Sequence, residues 1–458
     1  MDQIVAETVS CQNQIHSFFD NQRIAQLLKQ SNMVKKCGIA PAVVMRFVFS
    51  LVFTGKNLFR YLQADGSAGE IGKDTVYRFL NSVNANWRKF LHLLCVSVLN
   101  KRILPLTSIE TPKVFIVDDS LYNRNRSKNV ELLARVHDHN DHRYYRGFRL
   151  LTLGWSDGSS FLPVSFSLLS SANRKNRLTQ AAEIDKRTNG FKRRTESMRK
   201  APDVLKELVK QAHDSGIHAD YLLFDSWFAF PSAIIGLFEQ QQQVICMLKS
   251  AKTKYGYKDF GLTLDELYKS VRKRCGRAKI LASIQVELGT NSDNETVMAK
   301  IVFVRARNAK KKWLALLSTD LDLADEEIIK LYKRRWDIEV FFKMTKSYLQ
   351  LAKEFQSRSY DALVAHTTIV FARYVMLELA RRTTNDPRTL GTLFHARCDE
   401  LRQTSFAEAI ALLMNLLLQR LKDFADNITT PILGALKEFM RQIPGIFQRS
   451  MLLSTGIF

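Results

Sequence analysis

The stretch that decides the fold of this chain reads Tyr332-Lys-Arg-Arg335-Trp-Asp-Ile-Glu339-Val-Phe-Phe-Lys-Met-Thr-Lys346. The chain has no Pro or Gly from Leu321 to Leu351, which predicts a single helix. At about 100° of turn per residue, four polar residues of this helix fall within an arc of about 60°. They are Tyr332, Arg335, Glu339 and Lys346. One phenol, one carboxylate and two cations are therefore expected on one helical face.

An apolar stripe at helical spacing lies beside this polar arc. It consists of Leu331, Ile338, Phe342 and Leu349. We expect the stripe to fix the helix to a hydrophobic core and to leave the polar arc at the margin of that core. This margin is a plausible place for a functional site.

Length and charge set the general class of the protein. A chain of 458 residues with 46% hydrophobic content is too long for one ordinary domain, and we expect two to four structural units. A formal net charge of +23 and a pI near 9.8 favour an acidic polymer as partner, because neutralising phosphates releases counterions. Ribosomal, membrane-surface and well-solvated proteins share this composition, so charge alone does not decide the partner.

Cysteine usage and hydropathy predict a location in the cytoplasm. The six cysteines form no C-x-x-C pair, and no apolar signal peptide opens the sequence. The longest apolar runs, Ala42–Phe53 and Ala409–Leu418, are shorter than the roughly 20 residues that a membrane span needs. We interpret both as buried helices and expect no membrane partner.

The first hundred residues carry helical patterning. Asp74 is placed to cap a helix over Lys73–Leu80, which would leave Tyr77 and Arg78 near the helix start, where a recognition helix meets DNA. The alternative is an ordinary small helix in a bundle.

Strand patterns begin after Pro105. Val114–Val117 leads to Asp118, and the runs Phe148–Trp155 and Phe161–Leu168 suggest an antiparallel meander. We expect a mobile basic loop from Asn173 to Lys200. A helix, the strand Tyr221–Phe224 ending at Asp225, a second helix and a further strand complete a β-β-β-α-β-α-β order, which predicts an α/β layer architecture. The segment from Lys249 to Thr319 contains further strands, and the remainder of the chain is predicted to be helical.

Three carboxylates are candidates for one site. Asp118 and Asp225 each follow an apolar strand, where an open sheet presents its functional groups, and Glu339 comes from a helix. Three carboxylates suit Mg²⁺, and two such ions could activate a water or a 3′-hydroxyl at a phosphodiester. Taken singly, each carboxylate is more often a turn residue, a cap or half of a surface ion pair.

The spacing of Tyr332, Arg335, Glu339 and Lys346 resembles the Y-(2)-R-(3)-E-(6)-K signature of DDE transposases in the insertion sequence four family. The order of a strand with Asp118, a strand with Asp225, a β-rich insertion and Glu339 on a helix is also similar. The resemblance implies an α/β, RNase H-like mixed sheet core with an inserted β-rich subdomain. It also implies Mg²⁺, with Mn²⁺ as a substitute, DNA cleavage at transposon ends, and attack of the freed 3′-hydroxyl on target DNA.

The resemblance also implies roles for individual residues. Asp118, Asp225 and Glu339 would be the catalytic metal ligands, with Asp119 as an alternative to Asp118. The resemblance implies that Tyr332, Arg335, Lys346 and Trp313 would contact DNA. The helical pattern of the N-terminal region adds Tyr77 and Arg78 as DNA-contacting candidates. Trp313 would stack a flipped base, and its alternative is a core position in a strand.

The predicted organisation has five parts. They are a helical DNA-binding region (1–105), the first part of the core (106–248), a β-rich insertion (249–319), the last part of the core (320–385) and a helical C-terminal region (386–458). We predict a bacterial, nucleoid-associated transposase that acts as a homodimer on double-stranded DNA, at transposon ends and target. The alternatives are a metal-dependent nuclease without strand transfer and an inactive sequence-specific DNA-binding protein.

Four other features invite functional interpretations with simpler alternatives. The cluster from His137 to His142 could bind zinc but has the spacing of an ordinary loop. The basic segments Lys186–Lys200 and Lys249–Arg277 are candidate DNA tracks or solvated loops. Trp227 and Trp336 neighbour the proposed ligands, where tryptophan usually serves packing.

Overall fold

The computed structural model describes residues 14–64, 71–138, 141–275, 278–306, 313–355 and 357–402. The chain begins with short helices that pack through apolar faces; Val48, Phe49 and Phe53, for example, are fully buried. These helices are α1 (Gln14–Asn21), α2 (Ile24–Gln30), α3 (Pro41–Leu51), α4 (Leu58–Ala64), α5 (Lys73–Leu80) and α6 (Trp87–Val98). The predicted helical character of this region is confirmed.

A single mixed sheet forms the centre of the molecule. Its first strands are β1 (Val114–Asn123), β2 (Ala134–Asp138), β3 (Arg143–Ser156), β4 (Phe161–Leu169), β5 (Tyr221–Phe224) and β6 (Gln243–Leu248). Strand β3 pairs antiparallel with β1, β2 and β4, whereas β1, β5 and β6 run parallel to one another. Three antiparallel strands followed by parallel ones, with helices between them, give the predicted mixed α/β, RNase H-like core.

The strands of the predicted insertion continue this sheet. They are β7 (Lys254–Tyr257), β8 (Phe260–Thr263), β9 (Ile280–Thr290), β10 (Thr296–Arg305) and β11 (Trp313–Ser318). Strand β11 pairs antiparallel with β6 of the core, from Ala315 opposite Leu248 to Ser318 opposite Ile245. The order across the sheet is β2-β3-β1-β5-β6-β11-β10-β9-β7-β8, with β4 on β3. The β-rich segment is thus hydrogen-bonded to the core, and the predicted domain boundaries stay predictions.

The remaining helices flank the sheet. Their bounds are α7 (Asn189–Ser197), α8 (Ala201–Asp214), α9 (Pro231–Phe238), α10 (Leu264–Ser270), α11 (Asp325–Tyr332), α12 (Trp336–Ser347) and α13 (Tyr360–Thr383). Helix α7 corrects the predicted mobile loop, since it begins with a hydrogen bond from the Phe191 N–H to the Thr188 side chain. The Arg194 guanidinium in this helix is buried against Glu131 and Asp361, which accounts for its ordered backbone.

Three local predictions need correction. The expected single helix is divided, because Lys333–Arg335 forms a 3₁₀ turn between α11 and α12. Strand β1 does not end at Asp118 but continues to Asn123, paired with β3 along its whole length. The residue before α5 is Gly72, so Asp74 lies in the first turn of that helix and is not its cap.

Helix α13 ties the N-terminal helices to the core. Its Arg373 side chain is fully buried, donates to the carbonyls of Val48 and Phe49, and pairs with Glu354 at 2.7 Å. This helix is long and apolar enough to cross a membrane by composition, but 94% of its apolar window is buried inside the protein. Burial of that kind is typical of a core helix. The C-terminal helices predicted from Ser405 onward lie outside the described residues.

Candidate active site

The register of the parallel strands brings two aspartates together. In the β1–β5 pair, Ile116 lies opposite Leu223. Two residues further along each strand are Asp118 and Asp225, so parallel register places these carboxylates side by side. Asp225 lies directly beyond the end of β5, as the sequence predicts, whereas Asp118 lies within β1.

Glu339 reaches the same place from α12. The apolar stripe predicted beside it is buried: Leu331, Ile338, Phe342 and Leu349 are each at most 7% exposed. Arg335, at the end of the 3₁₀ turn, donates to the Glu339 carboxylate, and its second terminal nitrogen lies 3.5 Å from Asp118 Oδ2. Arg335 therefore bridges the carboxylate of the helix and the carboxylate of the strand.

Lys346 lies beside this bridge on α12, two helical turns beyond Glu339. Its ammonium donates to the hydroxyl of Ser120 on β1. Since Ser120 is two residues beyond Asp118, it lies on the same face of the strand. The strand thus fixes both a carboxylate and the partner of a cation.

Asp119 has a different environment from Asp118. Its carboxylate pairs with Arg149 of β3, whose guanidinium also lies 4.8 Å above the ring of Trp227. Trp227 is 42% exposed and follows Asp225 by two residues. The structure thus separates the two adjacent aspartates, with Asp118 towards Arg335 and Asp119 towards Arg149.

These side chains line one cavity of about 460 Å³. Its acidic and basic lining comprises Asp118, Asp119, Asp138, Asp225, Glu339, Arg149, Lys249, Arg335 and Lys346, together with His137. A mixture of carboxylates and cations in one open cavity suits a substrate that carries phosphates, because the cations can hold the phosphates beside the acidic groups.

The electrostatics of the cavity centre on Asp118. Burial, together with the nearby charges of Asp225 and Asp119, raises the pKa of its carboxyl to about 7. The Asp119 backbone N–H and Arg335 act in the opposite direction. Burial lowers the pKa of Lys346, and neighbouring carboxylates, including Asp118, partly offset this effect. Asp118 is therefore a carboxylate whose charged form needs further positive charge nearby.

The other sequence-predicted residues are more dispersed. Tyr332 is half-buried near Arg335 and Asp225, and burial raises the pKa of its phenol. Trp313 stacks on Tyr268 with ring centroids 4.9 Å apart and meets Phe303 edge-on. This is the packing expected from the core interpretation of Trp313.

The two N-terminal candidates lie on α5, away from the cavity lining. Tyr77 is half-buried against the core and Arg78 is exposed. The arrangement leaves Arg78 accessible to a partner and gives Tyr77 a packing role.

Sequence reasoning missed Ser120 and Arg149 as site candidates, and it named Lys249 only as the first residue of a candidate DNA track and not as part of this cavity. Lys249 comes directly after β6, a parallel strand beside β5, and that position could have suggested it. Ser120 follows Asp118 by two residues on a predicted strand, so strand alternation could have placed it on the same face. Arg149 lies opposite Leu121 in the β1–β3 pair, and no local pattern in the sequence reveals this neighbour.

Comparison with known families bears directly on this cavity. A family model described as DDE superfamily endonuclease matches residues 60–258, and one described as Transposase DDE domain matches residues 194–376. These matches support a DDE transposase. The first matched range contains Asp118 and Asp225, and the second contains Asp225 and Glu339, so the matched ranges together include the three carboxylates that line the cavity. In a comparison with curated proteins nothing matches this chain.

DDE transposases generally use divalent metal ions, and the donor chemistry here fits such ions. Carboxylate oxygens are the ligands that Mg²⁺ prefers, and three separate elements supply them here. The raised pKa of Asp118 indicates that a bound cation would stabilise the charged form of this carboxylate. Among the described residues, however, no group of three His, Cys, Asp or Glu side chains stands ready around one point. Arg335 instead pairs with both Glu339 and Asp118, so its guanidinium occupies the place between these two carboxylates.

Proposed function

We propose that this chain is a transposase that binds the ends of its insertion sequence and performs Mg²⁺-dependent cleavage and strand transfer by a two-metal DDE mechanism. The observation that carries the proposal is the convergence of Asp118, Asp225 and Glu339 on one cavity that Arg335 and Lys346 also line. The family matches over residues 60–376 support the DDE assignment, and the Y-R-E-K spacing supports membership of the insertion sequence four family.

The protein residues divide into two groups in this proposal. Asp118, Asp225 and Glu339 would hold the ions, which when bound supply Lewis-acid activation of a water or 3′-hydroxyl and stabilise the leaving oxygen. Arg335 and Lys346 would hold phosphates next to the cut, since both are cations at the margin of the carboxylate cluster. Asp118 is preferred over Asp119 as a ligand because its register places it beside Asp225, whereas Asp119 is turned towards Arg149.

Binding of DNA gives a reason for Arg335 to leave Glu339. The two non-bridging oxygens of a backbone phosphate offer the guanidinium the same bidentate geometry as a carboxylate. Transfer of Arg335 to a phosphate would release the Glu339 carboxylate for an ion. Substrate and metal would therefore assemble the site together, which limits cleavage to DNA that is correctly placed.

The proposal is tested with purified protein and DNA duplexes that carry candidate terminal inverted repeats, in Mg²⁺ or in chelator. We expect Mg²⁺-dependent nicks at the repeat end and joined products with target DNA. Glu339→Gln should abolish both products, while Glu326→Gln, an exposed charge-matched control on α11, should retain them. Full cutting and joining by Glu339→Gln would show that the site is wrongly assigned.

The same assay separates the alternatives. Cleavage without joined products indicates a metal-dependent nuclease. Specific binding without either product in Mg²⁺ or Mn²⁺ indicates an inactive DNA-binding protein. The predicted homodimer is tested by the mass of the protein–DNA complex in light scattering, where two chains with two ends are expected.

A further inference from the structure

A second, larger cavity adjoins the candidate active site and has a different character. It has a volume of about 1040 Å³ and shares Leu121, Asp138 and Lys346 with the carboxylate cavity. Its walls are the end of β1 with the chain that follows it, residues 121–130, and residues 351–353, 357 and 358. We call this cavity the basic groove.

The charge of the basic groove is strongly unbalanced. Six cations line it against one carboxylate, Asp138; the cations are Arg124, Arg126, Lys128, Lys346, Lys353 and Arg358. Arg126, Lys128, Lys353 and Arg358 are exposed. Four amide or hydroxyl side chains near them, on residues 123, 125, 127 and 129, can donate hydrogen bonds to oxygen. The groove therefore offers charge and donors to a chain of phosphates.

The wall of the groove is held in a fixed shape. The Arg124 N–H donates to the Arg146 carbonyl at 2.8 Å, and the Asn125 N–H donates to the Asn123 side chain at 2.8 Å. At Gly147 on β3, a Cβ atom would come within 2.2 Å of the Tyr122 carbonyl oxygen, so the two backbones approach as closely as only glycine permits. The donors are thus positioned before any ligand arrives.

Arg124 provides an independent indication of an anionic ligand. It is 8% exposed, and its guanidinium donates to the Phe355 carbonyl at 3.0 Å and lies 5.4 Å from the centre of the Tyr122 ring. Among the described residues its buried Nε has no hydrogen-bond partner. Among the residues that the structure describes, no carboxylate forms an ion pair with this guanidinium, which makes the groove a favourable place for a phosphate.

We propose that the basic groove is a phosphate track that holds the DNA backbone on one side of the cleavage point without reading its sequence. The proposal rests on the proposed function for its choice of DNA as the polyanion. From Asp118 to Asn123 the strand advances about 16 Å at roughly 3.3 Å per residue. That length corresponds to roughly five base pairs at about 3.4 Å each.

The test measures how the affinity for a terminal-repeat duplex depends on salt. All proteins in the test carry Glu339→Gln, which prevents cleavage. The groove variant adds Arg126→Ala and Lys128→Ala, and the charge-matched control adds Lys206→Ala and Lys210→Ala on α8. We expect the slope of log affinity against log salt to fall in magnitude by about 2 in the groove variant, one unit for each lost phosphate contact. The control should keep the slope of the parent. An unchanged slope in the groove variant, or an equal fall in both, overturns the proposal.

Neutral methylphosphonates at single positions in the duplex locate the contact. We expect substitutions within roughly five base pairs of the cut, on one side only, to weaken binding of the parent, and to have no further effect in the groove variant. Equal sensitivity of parent and variant at every position would also overturn the proposal. Failure of the parent to cut DNA in Mg²⁺ would instead count against the proposed function, because the binding measurements need no cleavage.

Discussion

Arg335 donates to the carboxylate of Glu339, one helical turn further along the chain. The guanidinium and a divalent cation require the same oxygens, so each should weaken the binding of the other. We expect Arg335→Gln to bind Mg²⁺ about tenfold more tightly than the parent in the absence of DNA, equivalent to about 1.4 kcal/mol. Titration calorimetry measures this affinity directly.

The matched control for that titration is Lys333→Gln, an exposed cation two residues earlier that removes the same charge. Its Mg²⁺ affinity should change much less. Equal or weaker Mg²⁺ binding by Arg335→Gln would show that Arg335 does not compete for the carboxylates.

Asp118 gives the free energy of unfolding a defined pH dependence. Its pKa in the folded protein is about 7, above the usual aspartate value of 3.8, because of burial and the charges of Asp225 and Asp119. The folded state therefore binds the proton more tightly than the unfolded state, and stability from this group falls as pH rises from about 4 to about 7. In chelator, the stability of Asp118→Asn relative to the parent should rise by roughly 1–4 kcal/mol across that range. Urea unfolding at several pH values measures it, and parallel profiles for the two proteins would contradict the assignment.

Lys346 should contribute charge to DNA binding, and Ser120 should only position it. Lys346→Gln is expected to weaken binding of a terminal-repeat duplex and to reduce the salt slope by about 1. Ser120→Ala keeps the ammonium and should keep the slope. Since burial lowers the pKa of Lys346, the contribution of this residue should decline as the pH becomes alkaline. A slope for Lys346→Gln equal to that of the parent would exclude the phosphate contact.

The buried pair of Arg373 and Glu354 should be important for stability. Arg373→Met removes the guanidinium that pairs with the Glu354 carboxylate and donates to two carbonyls of α3, and leaves His366 as the remaining side-chain partner of Glu354. Loss of one partner of a buried pair costs about 3–5 kcal/mol. Denaturant unfolding measures the loss. Replacement of both residues by apolar ones should recover part of it, and a double variant less stable than Arg373→Met would contradict this account.

Phe341 connects α12 to the core behind the carboxylates. It is fully buried and meets Phe371 and Tyr374 at 4.9 and 4.8 Å between ring centroids. We expect Phe341→Ala to cost about 3–5 kcal/mol in unfolding free energy and to reduce cleavage, because Glu339 lies on the same helix. Phe341→Leu should cost less and retain most of the cleavage. Equal cleavage by Phe341→Ala and the parent at a temperature where both are folded would argue against the coupling.

The sequence predicted those parts of the fold that depend on local pattern. The strand Tyr221–Phe224 and the buried apolar stripe from Leu331 to Leu349 occur where periodicity placed them. The 3₁₀ turn at Lys333–Arg335 was missed because its residues are ordinary helix formers. The pairing of β11 with β6, and of Arg149 with Asp119, was missed because contacts between distant segments leave no local signal.

The 3₁₀ turn also affects how the Y-R-E-K motif should be transferred in protein design. A 3₁₀ residue turns about 120° and rises about 2.0 Å, whereas an α-helical residue turns about 100° and rises about 1.5 Å. Three such residues rotate Tyr332 by about 60° relative to Glu339 and move it about 1.5 Å further away. A graft of this motif onto a regular α-helix would therefore present the tyrosine at the wrong angle, even with every spacing in the sequence preserved.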